Sequence, residues 1–232
     1  MSIVLTQCVS QYSYNDALRY IAAVEADIAT FSLAALDPDS GALGVAVASK
    51  FLAVGAYVPF VRAEVGAVAT QARTNLSYGP RVLELLEGGH SPAAASELVR
   101  AGDPGASRRQ LGIVTADGAS HSFTGADCTA WAGGASGPGF AAQGNILTGP
   151  EVLDALVAEW TGSAELPFAR RLLAALTAAE RAGGDSRGRQ AAALVVSGGA
   201  QDVNLRVDDH AEPLAELLRL LSLADPPERM KR

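Results

Sequence analysis

The sequence has few of the features that mark secreted, metal-binding or membrane-spanning chains. Its two cysteines are not in a C-x-x-C pair, which excludes a disulfide framework and favours a reducing compartment. Its three histidines lie far apart with no H-E-x-x-H motif, so no metal is expected. There is no apolar run of membrane-span length, about 18 residues, and no basic residue before Arg19 to begin a secretory signal. These absences predict a cytoplasmic protein without a membrane partner.

Positive charge is also scarce. The chain has 18 Lys and Arg against 25 Asp and Glu, a net charge of -7. A surface of this sign does not attract phosphates, so nucleic acid is not expected as a partner. With 232 residues, of which 49% are hydrophobic, the chain is long enough to bury one sizeable core. We expect a single globular domain that contains both helices and strands.

Motifs for common cofactors and nucleophiles are absent as well. There is no G-x-x-x-x-G-K-[ST] sequence, and GGASGPG lacks the spacing of a dinucleotide-binding loop. GHSPA resembles the G-x-S-x-G nucleophile elbow but ends in Ala93 and opens a helix, so Ser91 is predicted to be a helix cap. No cofactor is therefore expected.

What is present is a succession of strand and helix patterns. A helical arm is predicted over residues 14–28, followed by a hairpin of TFSLAAL and GVAVAS around the turn DPDSG. GGASGPG is predicted to be a loop. The other predicted strands cover 64–71, 110–116, 119–125, 140–145, 191–198 and 203–209, and the other helices 77–89, 91–100, 151–160, 166–182 and 211–225. This block order favours an α+β fold, either a four-layer sandwich or a two-layer arrangement.

Short motifs in a fixed order cover most of the chain. They are TFSLAALDPDSGALGVAVASKFLAVG, AVATQARTNLSYGPRVLELL, QLGIV, WAG, QGNIL, GPEV, GGDSRGRQAAAL and LRVDDH. They resemble the family called domain of unknown function 1028, which is grouped with the N-terminal-nucleophile (Ntn) hydrolases. The resemblance implies a four-layer αββα sandwich over residues 30–225, with residues 1–29 as a helical arm or propeptide and 226–232 as a polar tail.

The resemblance gives Thr30, the first residue of TFS, the role of nucleophile. A terminal Thr supplies both the attacking hydroxyl and a base, its α-amine, whose ordinary pKa is about 7.7 to 8.0. In the family TFS commonly follows the initiator Met, whereas Ala29 and 28 further residues precede Thr30 here. Three explanations stay open: a propeptide cut between Ala29 and Thr30, a start assigned too far upstream, or a persisting arm. In the last case Thr30 is only a β-branched strand residue.

Two residues at the end of the second hairpin strand are candidates to assist Thr30. Ser49 and Lys50 come beside the start of the first strand if the two strands pair antiparallel. An ammonium group there disfavours protonation of the Thr30 amine and so keeps it a free base. The alternative is that Lys50 is an ordinary surface lysine.

Amide side chains are candidates to bind the reacting carbonyl. Asn75 and Asn145 lie at strand ends or next to Gly and are predicted to donate hydrogen bonds to an oxyanion. Gln71 and Gln143 are close to them in sequence and are predicted to line the same groove. The alternative for each Asn is a turn.

Charged residues near the C-terminus are candidates to bind a substrate carboxylate. Arginine suits this task because it makes bidentate contacts with carboxylates. An ion-pair network between the two segments is the alternative interpretation. The predicted substrate-binding residues are Arg187 in GGDSRGRQ, with Arg206, Asp208, Asp209 and His210 in LRVDDH.

The residues and the resemblance together predict an Ntn-type amidohydrolase that cleaves an amide bond in a small metabolite through an acyl-Thr30 intermediate. The expected partner is a small-molecule amide, and dimerisation through the helices is left open. A different class stays open too, namely a non-catalytic binding or assembly protein with the same fold but no free Thr30 terminus. A hydrolase with Ser49 as an internal nucleophile is a second alternative, although no base lies at suggestive spacing from it.

Overall fold

The computed structural model describes residues 26–28, 30–200 and 202–224, which form eleven strands and five α-helices. The strands are β1 (Ala26–Ile28), β2 (Thr30–Leu36), β3 (Leu43–Ser49), β4 (Pro59–Arg62), β5 (Gly66–Thr74), β6 (Arg109–Thr115), β7 (Ser120–Thr124), β8 (Gly133–Gly137), β9 (Phe140–Asn145), β10 (Ala191–Ser197) and β11 (Val203–Val207). The helices are α1 (Tyr78–Glu87), α2 (Pro92–Arg100), α3 (Glu151–Gly162), α4 (Phe168–Arg181) and α5 (Pro213–Ala224). The predicted α+β class is confirmed.

The strands form two sheets in which every pair is antiparallel. The first sheet has the order β1-β5-β6-β7, and β4 also pairs with β5. Both β1 and β4 lie along one edge of β5: β4 pairs with residues 66–69, and β1 pairs with residues 72–74. The second sheet has the order β11-β10-β3-β2-β9-β8.

Successive side chains of a strand point to opposite faces, so each sheet packs one face against helices and the other face against the second sheet. Leu111 and Ile113 of the first sheet pack with α1 and α2 in one buried cluster. Phe31 and Leu33 of the second sheet pack with α3, α4 and α5 in another. Between the sheets, the inward residues of β2 and β3 pack with those of β5 in a third cluster. The core therefore has three layers, and the middle one separates the two sheets.

The local turn and cap signals are confirmed. DPDSG joins β2 to β3, and Gly118, with a φ of 84°, completes the turn between β6 and β7. The hydroxyl of Ser91 accepts a hydrogen bond from the backbone N–H of Ala94 at 3.3 Å, so Ser91 caps α2 as predicted. Among the described residues, no helix is both long and apolar enough to cross a membrane.

Two predictions of local structure are wrong. GGASG is strand β8 and not a loop, because residues 133–137 pair antiparallel with β9. Its glycines allow close packing: a Cβ on Gly133 would lie 2.5 Å from the Trp131 ring. Residues 26–28 are strand β1 and not the end of a helix, because they pair with β5. The rest of the predicted arm and the tail 226–232 lie outside the described residues.

Candidate active site

The chain crosses from the first sheet to the second at Thr30. Strand β1 ends at Ile28 in the first sheet, and β2 begins two residues later in the second. In the β2–β9 register Thr30 is paired with Asn145, and the β2–β3 register, continued by one residue, brings Ser49 opposite Thr30 on the other side. Thr30 is 0% exposed, and its hydroxyl donates a hydrogen bond to the Ile28 carbonyl oxygen at 3.1 Å.

Polar side chains from four strands fill the space between the sheets beside Thr30. All of them are buried, and all lie on the inner faces of their strands, as their hydrogen bonds across the two sheets show. We call this set the amide layer. It consists of Ser32 on β2, Gln71 on β5, Gln110 on β6, and Gln143 and Asn145 on β9.

Two backbone carbonyls fix the orientation of Gln110. Its Nε2 lies 2.8 Å from the carbonyl oxygen of Gly144 and 3.1 Å from that of Gly133. Because carbonyls only accept, the NH2 end must face them and Oε1 must face the opposite way. There Oε1 accepts hydrogen bonds from Nε2 of Gln71 at 2.8 Å and from Nδ2 of Asn145 at 3.0 Å.

The orientation of Gln110 determines that of the rest of the layer. Since Gln71 presents its NH2 end to Gln110, its Oε1 is left to accept from the Ser32 hydroxyl at 2.6 Å. The same hydroxyl accepts from Nε2 of Gln143 at 2.6 Å. Oε1 of Gln143 is buried without a hydrogen-bond partner in the described part of the chain, and it packs on Gly112, where a Cβ would lie 1.9 Å from it.

Asn145 connects the amide layer to Thr30. With one N–H bound to Gln110, its Nδ2 also lies 3.5 Å from the Ile28 carbonyl oxygen, the atom that accepts from the Thr30 hydroxyl. Asn145 also lines a small pocket of about 40 Å³, roughly the space for one water. Cys128 and Thr129 form part of its wall.

Two residues of this pocket have strained backbones. Ala72 and Ile146 have φ angles of 64° and 53°, in the left-handed region. For a β-branched residue such as Ile this is an outlier, and each such residue costs on the order of 1–3 kcal/mol. Strain of this kind concentrates at functional sites, so these residues support the same location as the amide layer.

The side chain of Lys50, which the sequence predicts to assist Thr30, points away from the amide layer. Its ammonium group donates to the Arg189 carbonyl oxygen at 3.1 Å, and its backbone N–H donates to Oδ2 of Asp185 at 2.9 Å. Since Ser49 is on the inner face of β3, the next side chain points outward. The ammonium group therefore faces the 183–190 loop and not the amide layer.

Asn75 serves a local turn. Its Oδ1 accepts hydrogen bonds from the backbone N–H of Ser77 at 3.1 Å and from the Ser77 hydroxyl at 2.7 Å, just before α1 begins. Thr74, the residue before it, is paired with Ala26, at the end of β1 far from Thr30. The structure thus brings Asn145, Gln71 and Gln143 together with Thr30, and leaves Asn75 apart.

The predicted substrate-binding charges are engaged in local contacts. Nη2 of Arg187 lies 2.9 Å from Oδ2 of Asp185, and Nη2 of Arg206 lies 2.7 Å from Oδ2 of Asp208. Strand β11, which precedes Asp208, is three strands from β2, or roughly 14 Å at the usual strand spacing. Asp209 accepts from Gln190 at 3.2 Å, and Nδ1 of His210 accepts from the Glu212 N–H at 3.0 Å. Only a long substrate could reach both Thr30 and Arg206. Arg187 lies closer, because its partner Asp185 accepts from the backbone N–H of Lys50, the residue after Ser49.

Gln110 and Ser32 were not predicted as site residues. A signal for Gln110 exists in the sequence, since a Gln that begins the apolar run LGIV is unusual for a buried strand.

As for metals, no three His, Cys, Asp or Glu side chains within residues 26–28, 30–200 and 202–224 are grouped as ligands.

Two antiparallel sheets, five helices and a buried amide layer at the sheet crossing define a mixed α+β protein. Residues 30–217 match the model of the Family of unknown function (DUF1028), and the chain belongs to this family. It is similar to the crystal structure of a DUF1028 protein from Silicibacter pomeroyi, with 35% identity and a TM-score of 0.81 over 86% of this chain and 88% of the other. No curated protein matches the chain. The resemblance to this family is confirmed.

Proposed function

We propose that this protein is a cytoplasmic amidohydrolase of the Ntn type, a four-layer αββα sandwich that uses Thr30 to cleave an amide bond in a small molecule. One observation carries the proposal: the Thr30 hydroxyl and the Asn145 amide converge on a single peptide carbonyl oxygen, at 3.1 and 3.5 Å. Acyl transfer needs a nucleophile and a hydrogen-bond donor close to each other, and these two groups meet at the carbonyl that directly precedes the proposed scissile one. The family match also begins at Thr30.

The proposed reaction has two steps. The Thr30 oxygen attacks the amide carbon, and the hydroxyl proton passes to the Thr30 α-amine. The C–N bond then breaks, and the leaving amine takes that proton, which leaves an acyl-Thr30 ester. Water attacks the ester with the α-amine as base, so the carboxylic acid leaves and Thr30 is restored. In both steps the proposal assigns Nδ2 of Asn145 the role of hydrogen-bond donor to the negative oxygen.

This reaction needs a free α-amine on Thr30, which is 0% exposed and follows Ala29 in the chain. We therefore propose that residues 1–29 are a propeptide that Thr30 itself releases. The hydroxyl attacks the carbonyl carbon of Ala29, the Thr30 nitrogen leaves as the free amine, and water hydrolyses the resulting ester. Release exposes the nucleophile and supplies its base together.

The test is the intact mass and N-terminal sequence of protein produced from the full coding region. We expect a chain that begins at Thr30. Thr30→Val keeps the side-chain shape and removes the hydroxyl, whereas Thr30→Ser keeps the hydroxyl and removes a methyl group. The Ser variant should release residues 1–29 and the Val variant should not. A stable wild-type chain beginning near Met1, or release by the Val variant, would contradict the proposal.

The burial of Thr30 also favours a second candidate. If residues 1–29 persist, the protein is a non-catalytic binding or assembly protein, because no external substrate can reach a side chain with no exposed surface. Thr30→Ala then leaves ligand binding unchanged. A homodimer formed through the helices stays a prediction, which the mass from light scattering would decide.

A further inference from the structure

Strand β1 fills half of an edge of β5 that would otherwise be open. Residues 26, 27 and 28 pair with 74, 73 and 72, while β4 covers residues 66–69 farther along the same edge. An uncovered strand edge presents unpaired N–H and C=O groups, which another extended chain can bind. Release of residues 1–29 would open this half of the edge beside Thr30.

The carbonyl that Thr30 and Asn145 contact belongs to this strand. Ile28 is the last residue of β1, and its carbonyl oxygen accepts from both side chains. The site thus holds an extended peptide whose backbone is already within hydrogen-bond distance of the proposed nucleophile. The next carbonyl along the chain is that of Ala29, the proposed point of release.

The Ile28 side chain occupies an apolar position. It is 0% exposed and belongs to the cluster between the sheets that also contains Val47, Val54, Val58 and Ala69. After release, this space would be lined by aliphatic side chains. A charged side chain placed there would lose its hydration without a partner, at a cost of several kcal/mol.

We propose that the released site binds an extended, peptide-like acyl chain as an added strand on residues 72–74 of β5, in place of β1. An apolar side chain takes the Ile28 position, and the amide after the following residue is cleaved. This inference rests on the proposed function and names its substrate class, namely short peptides or peptidyl amides. Backbone pairing gives affinity in this mode, and the side-chain pocket gives selectivity.

The experiment uses the wild-type chain after release of residues 1–29 and three chromogenic amides. Acetyl-Ala-Asp-Ile-Ala-4-nitroanilide reproduces residues 26–29, acetyl-Ala-4-nitroanilide lacks the strand, and acetyl-Ala-Asp-Asp-Ala-4-nitroanilide places a charge in the apolar pocket. We expect kcat/KM for the first amide to exceed that for each of the others by about 10-fold or more, as burial of one aliphatic side chain implies.

A second set of probes tests strand pairing itself. N-methylation of the first amide at either the Asp or the Ile nitrogen keeps the side chains and removes one N–H. Successive N–H groups of a strand point to opposite sides, so only one of the two faces β5. We expect about a 10-fold loss of kcat/KM at one position and a smaller loss at the other.

The outcomes separate this inference from the proposed function. A wild-type chain that stays intact from Met1 overturns both, because Thr30 is not freed and β1 keeps its place. A released chain that hydrolyses the short and long amides equally, or none of them, overturns only the peptide-like substrate. Equal losses at both N-methylated positions would overturn the added strand.

Discussion

The space between the two sheets has an apolar half and a polar half, and strand β2 supplies residues to both. Strand β2 contributes Ala34 and Leu36 to the apolar cluster, and Thr30 and Ser32 to the polar end. Strand β3 likewise gives Leu43 to the cluster. On β2 the change occurs between Ser32 and Ala34, whereas Val47 of β3, which is paired with Ser32, still belongs to the apolar cluster.

The two halves stabilise the fold in different ways. Apolar burial is non-directional and contributes about 25 cal/mol per Å² of apolar surface. A buried hydrogen bond contributes only about 1 kcal/mol net, but an unpaired amide costs about 1–3 kcal/mol. The amide layer therefore adds modest stability and permits few arrangements. We infer that the apolar half holds the sheets together and the polar half sets orientation at Thr30.

The largest expected effect on stability comes from the apolar half. Leu43→Ala should lower the free energy of unfolding by about 2–5 kcal/mol, since it opens a cavity in a closely packed cluster. Denaturant unfolding measures this, and Leu52→Ala, at a side chain that is 57% exposed, is the control with an expected change within about 0.5 kcal/mol. Folded Leu43→Ala should still release residues 1–29 at the wild-type rate. If the variant released residues 1–29 more slowly than the wild type at the same folded fraction, the two halves would not have the different roles inferred here.

In the polar half, Gln110→Met should slow the release of residues 1–29 by more than its loss of stability explains. The variant removes the acceptor that Gln71 and Asn145 share, so both amides lose their fixed orientation. We expect release of residues 1–29 to slow by about 10- to 100-fold, as misplacement of a catalytic group does. Mass spectrometry over time gives the rate. Ser122→Ala, which removes only a 3.4 Å hydrogen bond to the Ala142 carbonyl, is the control.

A double-mutant cycle shows whether Gln110 acts through Asn145. If it does, Gln110→Met has little further effect on the release rate once Asn145→Ala is present. Independent contributions would instead multiply, and Gln110 would then be a merely structural residue. Thermal unfolding of the same four proteins separates stability from rate.

A third region, outside both halves, stabilises the strand ends beside the polar half. Asp103 accepts hydrogen bonds from the Tyr78 hydroxyl at 2.5 Å and from Nε of Arg109 at 2.9 Å, and Nη1 of Arg109 donates to the Arg73 carbonyl at 2.6 Å. These contacts tie together the strand ends next to Gln71 and Gln110. Burial raises the pKa of Asp103, but the hydrogen bonds from Arg109 and Tyr78 outweigh it and lower that pKa to about 2.

This pKa predicts how stability depends on pH. Because the folded pKa lies below the unfolded value of about 3.9, the carboxylate stabilises the fold above pH 4 and loses that effect as pH falls toward 2. Asp103→Asn should therefore cost about 2 kcal/mol at pH 7 and much less at pH 2. Urea unfolding at both pH values measures this, with the exposed Asp39→Asn as control. A constant difference between variant and wild type would show that the ion pair is not its cause.

Local signals in the sequence were sufficient for much of the fold. Ser91 caps α2 and Gly118 turns the β6–β7 hairpin because each acts within a few residues of chain. The start of β2 at Thr30 was predicted for the same reason. Strand β4 was missed, since its four half-buried residues begin with Pro59 and show no clear alternation.

The arrangement of the site depends on contacts that are distant in sequence. Gln71 and Gln110 are 39 residues apart, and only the pairing of β5 with β6 places them side by side. The direction of Lys50 follows from the pleat of β3 and from the Arg189 carbonyl, neither of which its neighbours specify. A sequence pattern can nominate such side chains, but strand register decides which of them meet.

The smallest expected effect concerns Cys128, at the border between the polar half and solvent. Its thiol lines the small pocket and donates to the Arg109 carbonyl at 3.4 Å. Burial raises its pKa above the ordinary thiol value, and only the thiolate reacts. Iodoacetamide should therefore label Cys128 slowly at pH 7 in a Cys8→Ser background, with a midpoint in rate above the ordinary thiol pKa of about 8.5. Cys128→Ser identifies the labelled site, and a midpoint at or below 8.5 would mean that the pocket is open to water and that Asn145 is not shielded there.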